Sequence, residues 1–179
     1  MEIPIPTLET ERLILRAPRG EDFEPWAAFA SDEEAARYIG GVQTREGAWR
    51  VMSVMAGAWL VRGFSMFSVI EKATGEWVGR VGPWQPEGWP GTEVGWGIAR
   101  AHWGKGYATE AAEASIDWVM DHLGWTEVIH TIEPANVNSR KVAERLGSSI
   151  LRQAVLPAPM SVAVDVWGQS REAWLRRRG

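Results

Sequence analysis

Polar and apolar positions along the chain change period several times, and each change marks a new element. From Leu8 to Pro18, Leu13 and Leu15 alternate with Arg12, Ile14 and Arg16, which predicts a first strand. EDFEPWAAFAS after Gly20 and SDEEAARYIG before Gly41 read as two short helices that begin on acids. Thr44 can cap a longer helix, because Glu46 and the run WRVMSVMAGAWLV follow at helical spacing until Gly63. Phe64–Lys72 alternates as a strand, ATGE is a turn, and WVGRVGPW is its hairpin partner. QPEGWPG, residues 85–91, is a loop rich in proline and glycine. TEVGWGIA, residues 92–99, is a strand whose glycines at 95 and 97 suggest a bulge or a close backbone approach.

The second half repeats a strand–helix order. A helix is predicted from Gly106 to Leu123, with Ala108, Ala111, Ala112, Ser115, Ile116, Val119 and Leu123 on one face and Glu110, Glu113, Asp117 and Asp121 on another. EVIHTIEP is a strand, and NVNSRKVAERLG is a helix stopped by Gly147. Strands follow at residues 150–155 and 162–167, and Ser170 can cap a last turn. This order predicts one α+β (mixed α/β) domain over residues 1–179, with a central sheet of six or seven strands.

Composition narrows the chemistry. The chain has no cysteine, so disulfides, thiolate metal sites and a cysteinyl intermediate are excluded. Only three histidines are present, and no spacing of them with carboxylates reads as a metal site, so no metal is expected. A net charge of −4 does not advertise nucleic-acid binding. The start, MEIPIPTLETERL, lacks the pattern of a signal peptide, and no apolar run approaches a membrane span. The expectation is a cytoplasmic protein without nucleic-acid or membrane partners, as a monomer or a homodimer. The 12 tryptophans are the compositional oddity, readable either as core filler or as cleft and contact residues.

The densest motif is AHWGKGYATE, residues 101–110. It lacks the hydroxyl residue after the lysine that a Walker A loop requires, and the upstream Gly95-Trp96-Gly97 lacks the third glycine of a dinucleotide fingerprint. A third reading is a strand ending near Ala99 and a helix opening at Gly106, so that the amides of residues 104–108 converge at the positive end of the helix. Glycines 104 and 106 let the backbone close on an anion, and Arg100 and Lys105 add positive charge. This suits a pyrophosphate; a tight turn with no ligand is the alternative.

HWGKGYATEA resembles the acyl-CoA-binding signature of the GCN5-related N-acetyltransferases, with Trp103 where the family usually has arginine or glutamine, then Gly106 and Ala108. TERLILR, ARYIG, EVGWGI, NVNSRKVAERLG and SREAW are similar, in order, to segments of the branch that includes the ribosomal-protein N-terminal acetyltransferases. The resemblance implies a mostly antiparallel sheet whose fourth strand is bulged and splays from the fifth. It implies acetyl-CoA as cofactor, with Ile98, Ala99 and Arg100 along pantetheine. Trp103, Gly104, Lys105, Gly106, Tyr107 and Ala108 would be at the pyrophosphate, and Asn136 and Ser139 at the cofactor arm. It implies acetyl transfer to a primary amine, a protein N-terminus or a small molecule, by direct attack. Glu93 is then the expected base, with a solvated strand acid as its alternative. The family often uses a tyrosine beyond the asparagine to protonate the thiolate. The only tyrosines here are Tyr38 and Tyr107, neither at that place, so Ser139 is the expected donor, with helix capping as its alternative. Trp26, Trp49, Trp84, Trp89 and Trp167 are candidate acceptor walls, and Glu87 or Asp165 could receive a cationic amine. The missing tyrosine also leaves open an acyl-CoA-binding module without catalysis.

Overall fold

The computed structural model describes residues 4–179; Met1, Glu2 and Ile3, within the acidic start read above, lie outside the described residues. The strands are β1 (Leu8–Glu9), β2 (Leu13–Arg16), β3 (Phe67–Glu71), β4 (Trp77–Trp84), β5 (Glu93–Ile98), β6 (Glu127–Ile132), β7 (Ser149–Val155) and β8 (Ala163–Ser170). The helices are α1 (Phe23–Ser31), α2 (Glu33–Ala36), α3 (Arg45–Arg62), α4 (Tyr107–His122), α5 (Val137–Arg145) and α6 (Arg171–Arg178). The strands form a single sheet in the order β1-β2-β3-β4-β5-β6-β8-β7.

The sheet has eight strands where six or seven were expected, because the first predicted strand is a hairpin. Thr10 turns it: its amide donates to the Leu13 carbonyl at 2.9 Å, and its hydroxyl accepts from the Leu13 amide at 3.0 Å. A two-residue strand is too short to show a period of its own.

Two apolar clusters lie against the sheet. One joins Leu13, Leu15, Phe67, Val69 and Val94 to Ala111, Ala112, Ile116, Val119 and Met120 of α4 and to Trp174 of α6. The other joins Met66 and Trp77 to Trp26, Phe29, Met52 and Met55 of α1 and α3. Six of the twelve tryptophans are buried in these layers and their satellites, so packing accounts for half of them. Among the described residues, no helix is long and apolar enough to cross a membrane.

β5 and β6 are the parallel neighbours, and their register holds only at Glu93 opposite Ile129. Beyond that pair the strands part. At the crotch a side chain takes over from the ladder: His130 Nδ1–H donates to the Val94 carbonyl at 2.7 Å, while its Nε2 accepts from the Ser148 hydroxyl at 3.1 Å. Gln169 completes this buried chain, its Nε2 donating to Ser148 Oγ at 3.1 Å and to the Leu146 carbonyl at 2.8 Å. On its other edge, β5 pairs with β4 in unbroken register from Trp84–Glu93 to Gly79–Ile98. The bulge expected at Gly95 and Gly97 is therefore absent from this pairing. The glycines instead provide clearance: a Cβ at 95 would stand 2.9 Å from Met66 Cε, and one at 97 would stand 2.9 Å from Phe29 Cζ.

Candidate functional site

The strand-to-helix connection after β5 forms an uncapped helix mouth. A single 3-10 turn covers Arg100–His102, Gly104 and Gly106 hold φ of +77° and +79°, and α4 opens at Tyr107 with no side-chain cap. Among the described residues, the amides of 104–109 donate to no backbone carbonyl. They stand at the positive end of a 16-residue helix, the arrangement an oxyanion binds.

The nearby cations are already engaged. Lys105 Nζ lies 3.1 Å from His102 Nδ1 and 3.5 Å from Glu71, and Arg100 pairs with Asp32 at 2.9 Å. Tyr107 turns its buried ring inward, its hydroxyl donating to Glu71. Arg12 sits beside Gly106, its guanidinium 4.6 Å from the centre of the Tyr107 ring and 2.6 Å from Glu110. Glu71, Glu76 and His102 do come close enough to share a cation, a grouping that sequence spacing did not suggest. Lys105 already places its ammonium there, and Tyr107 and Thr74 hold the Glu71 carboxylate. The backbone amides are thus the loop's free anion donors. The indole of Trp103 donates to the Ile98 carbonyl at 2.7 Å, tying the loop to the end of β5.

The fork between β5 and β6 opens into a cavity of about 570 Å³ that reaches α3 and the 85–91 loop. Glu93 lines it and is 6% exposed. Burial pushes its carboxyl up from 4.5 to about 7; the Thr131 amide and the Arg80 charge pull the other way. The indole N–H of Trp89 also draws it down, although without hydrogen-bond geometry. A carboxyl poised near neutrality suits proton abstraction at physiological pH. His130, buried next to it in the fork, is pushed down from 6.5 to about 4 by burial, against the Val94 bond, and is neutral.

On the other wall, Asn136 caps α5. Its Oδ1 accepts from the Ser139 amide at 3.2 Å, and its Nδ2 donates to Ser139 Oγ at 3.0 Å. Trp96 Nε1 donates to the same oxygen at 3.1 Å. With two donors on Oγ, the Ser139 hydrogen is left to donate elsewhere. Capping and a donor role are therefore compatible. Tyr38 lines the same cavity from the turn after α2, and its hydroxyl donates to the Ala135 carbonyl at 3.4 Å.

The aromatic residues divide. Trp84 and Trp89 line the cavity. Trp26 does not: it is 1% exposed and packs 5.6 Å from Trp77 in the core. Trp49 does not either; it lies on the outer surface of α3, edge-on to Phe23 at 5.1 Å. Trp167 is buried with Ile132 and Ala143 behind the fork, because its position on β8 faces α5. Of the two acids considered for a cationic amine, Glu87 lines the cavity, whereas Asp165 lines a separate shallow one near β7. Sequence reasoning missed Arg80, Trp96, His130 and Tyr38. A histidine inside the apolar run EVIHTI and an arginine between valines in WVGRVGPW were the available signals.

Comparison with known proteins accounts for this geometry. A family model described as the acetyltransferase (GNAT) domain matches residues 12–149. The chain is 34% identical over 143 residues to the uncharacterized N-acetyltransferase p20 of Bacillus licheniformis, covering 78% of this chain and 80% of that protein. An acetyltransferase from Agrobacterium tumefaciens superposes with a TM-score of 0.83 at 30% identity, over 94% of this chain and 96% of that one. Mycobacterium smegmatis RimJ, solved in complex with CoA-disulfide, shares the fold at 18% identity with a TM-score of 0.72, covering 96% and 91% of the two chains. A splayed parallel pair, a glycine-bearing helix mouth and these matches agree: the chain belongs to the GNAT family and is an acetyl-CoA-dependent acetyltransferase.

Proposed function

We propose that the chain transfers the acetyl group of acetyl-CoA to a primary amine by direct attack in a ternary complex, with Glu93 as base and Ser139 as donor to the leaving sulfur. The observation that carries this reading is the buried carboxyl of Glu93, held near pH 7 in the fork where the thioester is expected. The amine nitrogen attacks the thioester carbonyl carbon. One amine proton passes to Glu93, the nitrogen–carbon bond forms, the carbon–sulfur bond breaks, and its electron pair stays on sulfur. The thiolate takes the Ser139 hydrogen, and solvent restores it. In the same reading, amides of residues 103–108 hold the pyrophosphate, Asn136 contacts the cofactor arm, and the end of β5 at Ile98, with Ala99 and Arg100 just after it, runs along pantetheine. A cytoplasmic setting, in a monomer or homodimer, belongs to this reading.

Calorimetry with acetyl-CoA, CoA and ATP, followed by thiol release in the presence of an amine panel, tests it. The expected result is CoA binding and turnover with at least one amine. CoA binding with no turnover would leave a binding module in place of an enzyme.

A further inference from the structure

The cavity wall holds a buried cation that, among the described residues, has no carboxylate within salt-bridge distance, although the Glu93 charge acts on it from further off. Arg80, in the middle of β4, is 8% exposed and lines the cavity. Its Nε is buried and makes no hydrogen bond, and the nearest polar partner of Nη1 is the Met66 sulfur at 3.9 Å. Burial lowers it only to about 10, with Glu93 raising it, so the guanidinium stays charged. The fold treats the partly buried Arg16 differently: it is held by both oxygens of Asp22 at 2.9 and 2.8 Å. A planar, unpaired guanidinium in a dry wall is a receptor for a carboxylate.

Position matters as much as charge. Glu93 Oε1 lies 3.1 Å from where a Cβ would stand on Gly95, and Arg80 Cζ lies 3.7 Å from the equivalent point on Gly97. Those two points share a face of β5 two residues apart, about 7 Å along the strand. A molecule whose amine and carboxylate are separated by one or a few carbons spans that gap.

Resting on the acetyl-transfer reading above, we infer that the acceptor is a small free amino acid, its amine facing Glu93 and its carboxylate paired with Arg80. A protein N-terminus carries an amide at that point, which leaves the buried guanidinium unpaired and is selected against. Trp84 and Trp89 bound the space left for the side chain.

Matched amino acids and their amides test this, since the amide keeps the amine and stands in for a peptide N-terminus. The expected kcat/KM favours the acid over its amide at least tenfold for the accepted side chains, and Arg80→Gln abolishes that ratio. Tryptophan fluorescence in the presence of CoA gives the same comparison as a binding constant, independent of turnover. If Arg80→Gln does not fold, Arg80→Lys keeps the charge without the fork, and a reduced but surviving acid preference is expected. Amides, peptides or polyamines acetylated as well as or better than the acids would overturn the inference and leave the acetyltransferase reading intact. An acid preference that persists in Arg80→Gln would overturn the role of Arg80. Acetyl-CoA binding without acetylation of any amine would overturn both.

Discussion

Replacing Glu93 with glutamine should make the protein slower and, above pH 5, more stable. The folded carboxyl titrates near 7 against an ordinary 4.5, and a tenfold change in proton affinity is about 1.4 kcal/mol. Its folded value is raised, so the fold favours the protonated form, and stability falls as pH rises from 4.5 through 7. The penalty grows to about 2 kcal/mol by pH 6 and about 3 kcal/mol by pH 7, then levels off. Glutamine can still accept from the Thr131 amide but carries no charge to bury. His130 acts with the opposite sign: its folded value is depressed from 6.5 to about 4, so its contribution is present above pH 6.5 and lost as pH falls. In the unsubstituted protein the two nearly cancel between pH 4.5 and 6.5, and Glu93→Gln exposes the histidine limb. Urea unfolding of both proteins at pH 5, 6, 7 and 8 gives the difference. The kcat/KM profile of the unsubstituted enzyme should show a limb near pH 7 that the variant lacks, with a rate loss of roughly 100-fold. A stability difference that does not change between pH 5 and 8, or a limb that survives the substitution, would refute the argument.

Three further outcomes follow from the geometry. Gly106→Val forces a β-branched residue to φ +79° beside Arg12 and should raise the KM for acetyl-CoA about tenfold while affecting kcat less, measured by thiol release. Ser139→Ala removes the free hydroxyl hydrogen and should lower kcat roughly 100-fold, with Ser139→Thr recovering much of it; an alanine variant at full kcat would remove Ser139 from the mechanism. Trp174→Ala empties a fully buried site and breaks the 2.8 Å bond from its indole to Asp117, at a cost of about 3–5 kcal/mol by urea unfolding.

Local signals made much of the molecule legible. The period of α4, its glycine-bearing entry and the strand that precedes it were all readable, because each depends on neighbours within a few residues. So was the order of strands and helices, apart from the split between β1 and β2. What failed depended on partners far along the chain. Arg80 reads as an ordinary strand arginine until Met66 and Gly97 close around it. Tyr38 is remote in sequence from the asparagine cap, yet its hydroxyl meets Ala135 across 97 residues. Gly95 and Gly97 were read as a bulge or a close backbone approach; a sequence cannot say that it is the side chains of Met66 and Phe29 that occupy the space above them. Trp26 and Trp167 were read as cleft walls because bulk does not reveal which layer a side chain fills.

The tie between the first hairpin and α4 has a consequence for how the protein is made. Glu110 accepts from the Thr10 hydroxyl at 2.6 Å and from the Arg12 amide at 2.9 Å, across 100 and 98 residues. Closing so long a loop is entropically costly and slows folding. A nascent chain that has emerged only as far as β5 contains the hairpin and the acid of the fork, but neither the helix that steadies the hairpin nor the mouth that receives the anion. The hairpin therefore gains its anchor in the same folding event that creates the mouth of α4, and ribosome-bound intermediates shorter than that should have no affinity for coenzyme A.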